Sequence, residues 1–141
     1  MAGSKYGDLI KYNQLIRDIP YYGGKSIVAH DGELDVDCSL GYHCITGKMS
    51  FPRRHAHDFP ELLCFIGSDP LHMYDLGAEV EITLGEEDEK HIIDRGAVVS
   101  IPSGLMHCPI VFTRVDRPLI FLEISLTRIW KPDNLPPDEE R

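Results

Sequence analysis

Between His55 and Glu61 the chain reads His-Ala-His-Asp-Phe-Pro-Glu, two imidazoles and a carboxylate at offsets that a strand would turn to one side. Successive strand side chains alternate faces, so His55 and His57 would stand roughly 6–7 Å apart at Cα, close enough for both rings to reach one ion. Glu61 lies four residues beyond His57, again an even offset. A carboxylate is the usual hard-oxygen complement to imidazole on a transition metal. A fourth donor is His107, which follows an apolar run ending at Ile101 and the turn composition Pro102-Ser103-Gly104. Such a turn folds His107 back beside the strand that precedes it. His55, His57, Glu61 and His107 are therefore the candidate ligands of one divalent transition-metal ion. Each histidine would bind through one neutral nitrogen and offer the other to an acceptor. Four protein ligands leave room for a small molecule on a five- or six-coordinate ion.

The elements that must hold these donors are strands. Runs rich in Val, Ile and Phe occupy Ser26–His30, Gly41–Phe51, Glu61–Gly67, Ala78–Leu84, His91–Asp94, Ala97–Ile101, His107–Val115 and Leu119–Thr127. They are divided by turn compositions such as Asp31-Gly32, Pro52-Arg53-Arg54, Gly67-Ser68-Asp69-Pro70 and Asp116-Arg117-Pro118. No helical stretch of ten or more residues separates them. An all-β chain follows, its eight expected strands forming a closed double sheet or jelly-roll barrel. Tyr12 to Ile19 is expected to add a turn or two of helix before Pro20.

Two motifs place the chain beside a known family. It resembles the cupins, whose first motif is Gly-x5-His-x-His-x3,4-Glu-x6-Gly and whose second is Gly-x5-Pro-x-Gly-x2-His-x3-Asn. His55, His57, Glu61 and Gly67 answer the first, and Gly96, Pro102, Gly104 and His107 answer the second with its spacing intact, eight of ten positions in all. Met49 stands where the opening glycine belongs, Gly67 follows Glu61 after five residues, and Val111 replaces the terminal Asn. None of these departures touches a ligand. The stretch from Gly67 to Gly96 is longer than in a minimal cupin, so an inserted loop is expected near Asp69–Gly77. The resemblance implies a double-stranded β-helix, most often with Mn or Fe in its site and with Zn, Ni, Co or Cu as further choices. It also implies a homodimer with exchanged edge strands.

Length and composition set the outer limits. The 141 residues suit a single domain able to bury a useful core. The expected division is an arm at 1–24 packed on the barrel or on a partner subunit, the barrel at 25–130, and an acidic, proline-rich tail at 131–141. Four of the six tyrosines lie in the arm, an aromatic load unusual for a solvated linker. A net charge of −9 without a basic stripe argues against nucleic acid. No apolar run is long enough to span a bilayer and no secretory leader is evident, so a cytoplasmic location is expected. Cys38, Cys44, Cys64 and Cys108 form no Cys-x2-Cys pair, and reduced, buried thiols are expected in preference to a Cys38–Cys44 bridge.

Further polar residues are candidates for the pocket. Arg53 and Arg54 could hold an anionic substrate, and His43 and Tyr42 could close the mouth together with His72, Met73 and Tyr74. Along the last strand Ile120, Leu122, Ile124 and Leu126 share one face, leaving Glu123 on the other as a candidate general base or as an acceptor behind the ligands. Cys64 and Cys108 lie at odd offsets from Glu61 and His107, so both are expected to face away from the ion. Three functional readings follow: a metal-dependent isomerase, decarboxylase, lyase or dioxygenase acting on a small oxygen-rich or carboxylate-bearing molecule, a module that binds such a ligand without turning it over, or a structural protein that keeps the barrel and has lost the use of its site.

Overall fold

The computed structural model describes residues 4–129, so Trp130 and the acidic tail lie outside the described residues. Ten strands run in order: β1 (Ile16–Ile19), β2 (Gly24–Ala29), β3 (Ser39–Ile45), β4 (Met49–Phe51), β5 (Glu61–Gly67), β6 (Ala78–Leu84), β7 (Glu89–Ile93), β8 (Ala97–Ile101), β9 (His107–Val115) and β10 (Leu119–Ser125). They form two antiparallel sheets, one in the order β1-β2-β3-β10-β5-β8 and the other in the order β4-β9-β6-β7. The two sheets make a jelly-roll barrel. Among the described residues no helix is long and apolar enough to cross a membrane.

Two local expectations are corrected. The run Gly41–Phe51 is two strands, because Thr46-Gly47-Lys48 turns a corner that sends β3 into the large sheet and β4 into the small one. The helix expected over Tyr12–Ile19 is a single 3₁₀ turn, Asn13–Leu15, followed by β1. Ile16, Arg17, Asp18 and Ile19 pair with Ile27, Ser26, Lys25 and Gly24 of β2. A ladder of tertiary hydrogen bonds outweighs the weak helical preference of such a short segment.

The interior is stratified along the barrel axis, and the pairing register of β10 shows how. Leu119 and Phe121 face inward at one end, then Glu123 and Ser125 toward the other. Phe121 lies opposite Phe65 and His43, Glu123 opposite Leu63 and Gly41, and Ser125 opposite Glu61 and Ser39. The apolar end is an aromatic plug in which the Phe121 ring meets Phe65, Phe51 and Phe112 at centroid separations of 5.2, 5.5 and 5.9 Å. Burial of these rings drives the sheets together. The polar end is left to the histidines and acids. The fully apolar face of β10, Ile120, Leu122 and Ile124, is half-buried on the outside of the sheet, the reverse of a usual half-buried strand.

Candidate metal centre

Each candidate ligand is placed by a different backbone device. His55 lies beyond the end of β4 and makes two mutual backbone hydrogen bonds with His107, 3.0 and 2.8 Å, which carry the β4–β9 pairing to the polar end of the barrel. The amide of Gly104 donates to the carbonyl of His57 at 2.8 Å, so the Pro102–Gly104 turn fixes the second histidine. Gly104 has φ +85°, a left-handed conformation that glycine adopts without steric cost. Glu61 opens β5 and points inward beside Ser125. The three imidazoles meet at centroid separations of 4.7 Å for His55–His57, 4.4 Å for His55–His107 and 5.4 Å for His57–His107. All four side chains belong to residues between 2% and 5% exposed, so the cluster sits where electrostatic interactions are strong.

Hydrogen bonds decide which nitrogen of two rings faces the cluster. His55 Nδ1 lies 2.6 Å from the carbonyl oxygen of Arg53, and His107 Nδ1 lies 2.9 Å from that of Leu105. A carbonyl only accepts, so each Nδ1 carries the proton and each Nε2 keeps a lone pair. His107 Nε2 stands 3.5 Å from Glu61 Oε1, and Ser125 Oγ donates to Glu61 Oε2 at 3.1 Å. Burial pushes the His55 imidazole down to about 4, outweighing the upward pull of its bond to Arg53, and His107 and His57 nearby push the same way. At neutral pH this ring is the neutral form that a metal requires. The donor atoms of His57, Glu61 and His107 lie within 4.8 Å of one another, and those of His55, His107 and Cys108 form a second such group. Tautomer-locked imidazoles beside a positioned carboxylate are the donor chemistry of a divalent transition-metal site.

The remaining candidates divide. Arg53 and Glu123 border the same small pocket as His55, Glu61 and His107, a cavity of about 20 Å³ also lined by Phe51, Leu63, Ile110 and Phe121. Glu123 also borders a neighbouring cavity of about 30 Å³ between β2, β3 and β10. His43 does not close a mouth. It is fully buried, its Nε2 lies 3.1 Å from Glu123 Oε2, its Nδ1 lies 2.7 Å from Ser26 Oγ, and its ring stacks on Tyr22 at 3.7 Å. Strand alternation turns Tyr42 outward instead, where it is exposed. Arg54 is also directed away, pairing with Asp88 at 2.9 Å and Glu86 at 3.4 Å on the β6–β7 hairpin. His72, Met73 and Tyr74 are exposed in the loop that follows Gly67, whereas Glu61 begins the same strand. Seven residues of strand, roughly 20 Å, separate that loop from the ligands.

Cysteine placement departs from expectation in two ways. All four thiols are free, but only Cys64 and Cys108 are buried, while Cys44 is exposed and Cys38 half-exposed. Cys64 lies on the outer side of β5, paired in register with Leu122 and Val98. Cys108 faces the donor cluster, contrary to the alternation expected from spacing. Ile82 pairs with Ile110 and Leu84 with His107, so β9 spends one residue more than β6 between these pairs. This is a β-bulge, and Cys108 takes φ +78° within it. The extra residue lets His107 and Cys108 both be buried. The available signal was Pro109, since proline within a strand marks an edge or a bulge.

The sequence matches no known family profile and no curated protein. Solved structures do resemble the fold. The capsular polysaccharide assembling protein CapF of Staphylococcus aureus aligns with TM-score 0.56 at 13% identity, over 88% of this chain and 31% of its own. A Bacillus subtilis oxalate decarboxylase, described for its Mn(II) centres, aligns with TM-score 0.54 at 16% identity over 89% and 32%. The Cnp3 cupin domain of Schizosaccharomyces pombe gives TM-score 0.51 at 10% identity over 73% and 60%. This chain thus spans about a third of the first two proteins and has the cupin fold.

Proposed function

We propose that this cupin-fold chain holds one divalent transition-metal ion on His55, His57, Glu61 and His107 and acts on a small oxygen-rich or carboxylate-bearing molecule in the cavity beside it. The observation that carries the reading is the pair of Nδ1–H bonds to the carbonyls of Arg53 and Leu105, which leave two Nε2 lone pairs free for the cluster. Mn or Fe is the proposed ion, with Zn, Ni, Co or Cu as alternatives that the same donors accept. When bound, it would supply Lewis-acid stabilisation of negative charge developing on the ligand.

The chain's own residues supply the rest. Arg53 at the cavity edge offers a fixed positive charge to a carboxylate. Glu123 is the group placed to take and return a proton. Its carboxylate borders the cavity, and His43 holds it from behind while Ser26 and Tyr22 hold His43. The aromatic plug excludes water from the far side. Isomerisation, decarboxylation, elimination and dioxygenation all use such a set, and ligand capture without turnover is the second reading, because the same donors serve both. A second copy of the chain is the proposed partner, covering Tyr6, Leu9, Ile10 and Tyr12, which are 57–69% exposed on the N-terminal segment. Four free thiols suit a cytoplasmic setting.

Metal analysis of chelator-free protein tests the site. About one ion per chain is expected in the wild type and little in His57→Ala, whereas equal content in the two would overturn the ligand assignment. Reconstitution with Mn, Fe, Ni or Zn, with and without oxygen, followed by a turnover screen over small hydroxy and keto acids, then separates catalysis from capture.

A further inference from the structure

We infer that Cys108 is an additional donor to this centre, its thiolate forming with His55 and His107 a second seat for the ion that overlaps the seat formed by His57, Glu61 and His107. The inference rests on reading the cavity as a metal centre, and it concerns what that centre selects.

Three observations converge. The Cys108 sulfur and one ring nitrogen from each of His55 and His107 lie within 4.8 Å of one another, and all three residues are buried. The approach is built by the backbone: the bulge in β9 inserts one residue, and Cys108 holds φ +78°, a conformation that side chains with a Cβ rarely adopt. The other buried thiol, Cys64, stays on the regular outward alternation and belongs to no such group of candidate donors among the described residues.

The consequence is a site with two chemically different ends hinged on His107. Glu61 offers hard carboxylate oxygen at one end and Cys108 soft sulfur at the other. Hard ions such as Mn²⁺ favour the oxygen end, whereas Zn²⁺ and Co²⁺ accept thiolate readily. In the step proposed, the S–H bond breaks, the proton passes to solvent, and the sulfur lone pair is donated to the ion. No electron changes hands.

Cobalt is the probe because it reports both events separately. The full chain, stripped with chelator and kept reduced, is titrated with Co²⁺. Visible d–d bands record binding at any seat, and a near-ultraviolet thiolate-to-cobalt charge-transfer band records sulfur ligation. The wild type is expected to show both. Cys108→Ser should keep the visible bands, lose the near-ultraviolet band and bind Zn²⁺ at least about tenfold more weakly, since losing even a group behind the ligands costs a metal site that much. Cys108→Gly, which has no Cβ to strain at that φ, is the second variant, with far-ultraviolet circular dichroism verifying its fold. Visible bands without the charge-transfer band in wild type, or that band unchanged in both variants, would overturn the role of Cys108 and leave the metal centre standing. Absence of every cobalt band would overturn both.

Discussion

His55 shows how one buried side chain ties the candidate metal site to stability. Its ring is held neutral by burial, with the folded value near 4 against 6.5 for an unperturbed imidazole. The sign follows from proton uptake. Below pH 6.5 the unfolded chain binds a proton at His55 that the folded chain refuses, so stability falls as pH drops from 6.5 to about 4 and levels off beneath. The slope contributed by this one group approaches about 1.4 kcal/mol per pH unit. Urea midpoints of chelator-treated protein at several pH values in this window should fall more steeply for wild type than for His55→Asn. Parallel curves would show that His55 is not held neutral in the fold. The four candidate donors were legible because residue type and spacing are local facts. The directions of Arg54, Tyr42 and Cys108 were not, because each depends on which way a turn, a strand or a bulge faces its neighbours.

Among the elements, β3 and β10 carry the polar machinery and show why glycine occupies one position. A Cβ at Gly41 would stand 2.8 Å from His43 Nε2 and 3.1 Å from Glu123 Oε2. His43 has little freedom to yield, since its ring stacks on Tyr22 and its other nitrogen bonds Ser26. Gly41→Ala should therefore separate the His43–Glu123 pair and destabilise the fold by about 1–3 kcal/mol, the usual cost of overfilling a packed interior. A thermal or urea midpoint unchanged from wild type would show that the pair relaxes freely. The strand pattern itself was largely readable: Glu61–Gly67, Ala78–Leu84, Ala97–Ile101 and His107–Val115 coincide with β5, β6, β8 and β9. What failed was the division of the long Gly41 run and the strand β1. A corner between sheets and a pairing with a distant edge leave no periodic mark in a short segment.

For the molecule as a whole, the stratified barrel explains how a small domain keeps a polar centre. The phenylalanine plug supplies the buried apolar area, and the acids and histidines gather in the remaining end. The exposed Tyr6, Leu9, Ile10 and Tyr12 lie outside that economy and are the basis for the proposed dimer. Light scattering should give twice the chain mass of 16.0 kDa, and the double change Ile10→Asp, Tyr12→Asp should return it to that value. A monomeric wild type would refute the dimer. Sequence alone determined the β architecture and singled out the four candidate donors, because hydrophobic alternation and fixed donor spacing are written within single segments and survive any arrangement of them. Only the tertiary structure decided that Glu123 looks inward, that His43 braces it, that Arg54 looks away and that Cys108 joins the cluster. Those outcomes depend on register between strands far apart in the chain, where one extra residue in β9 is enough to reverse a side chain's direction.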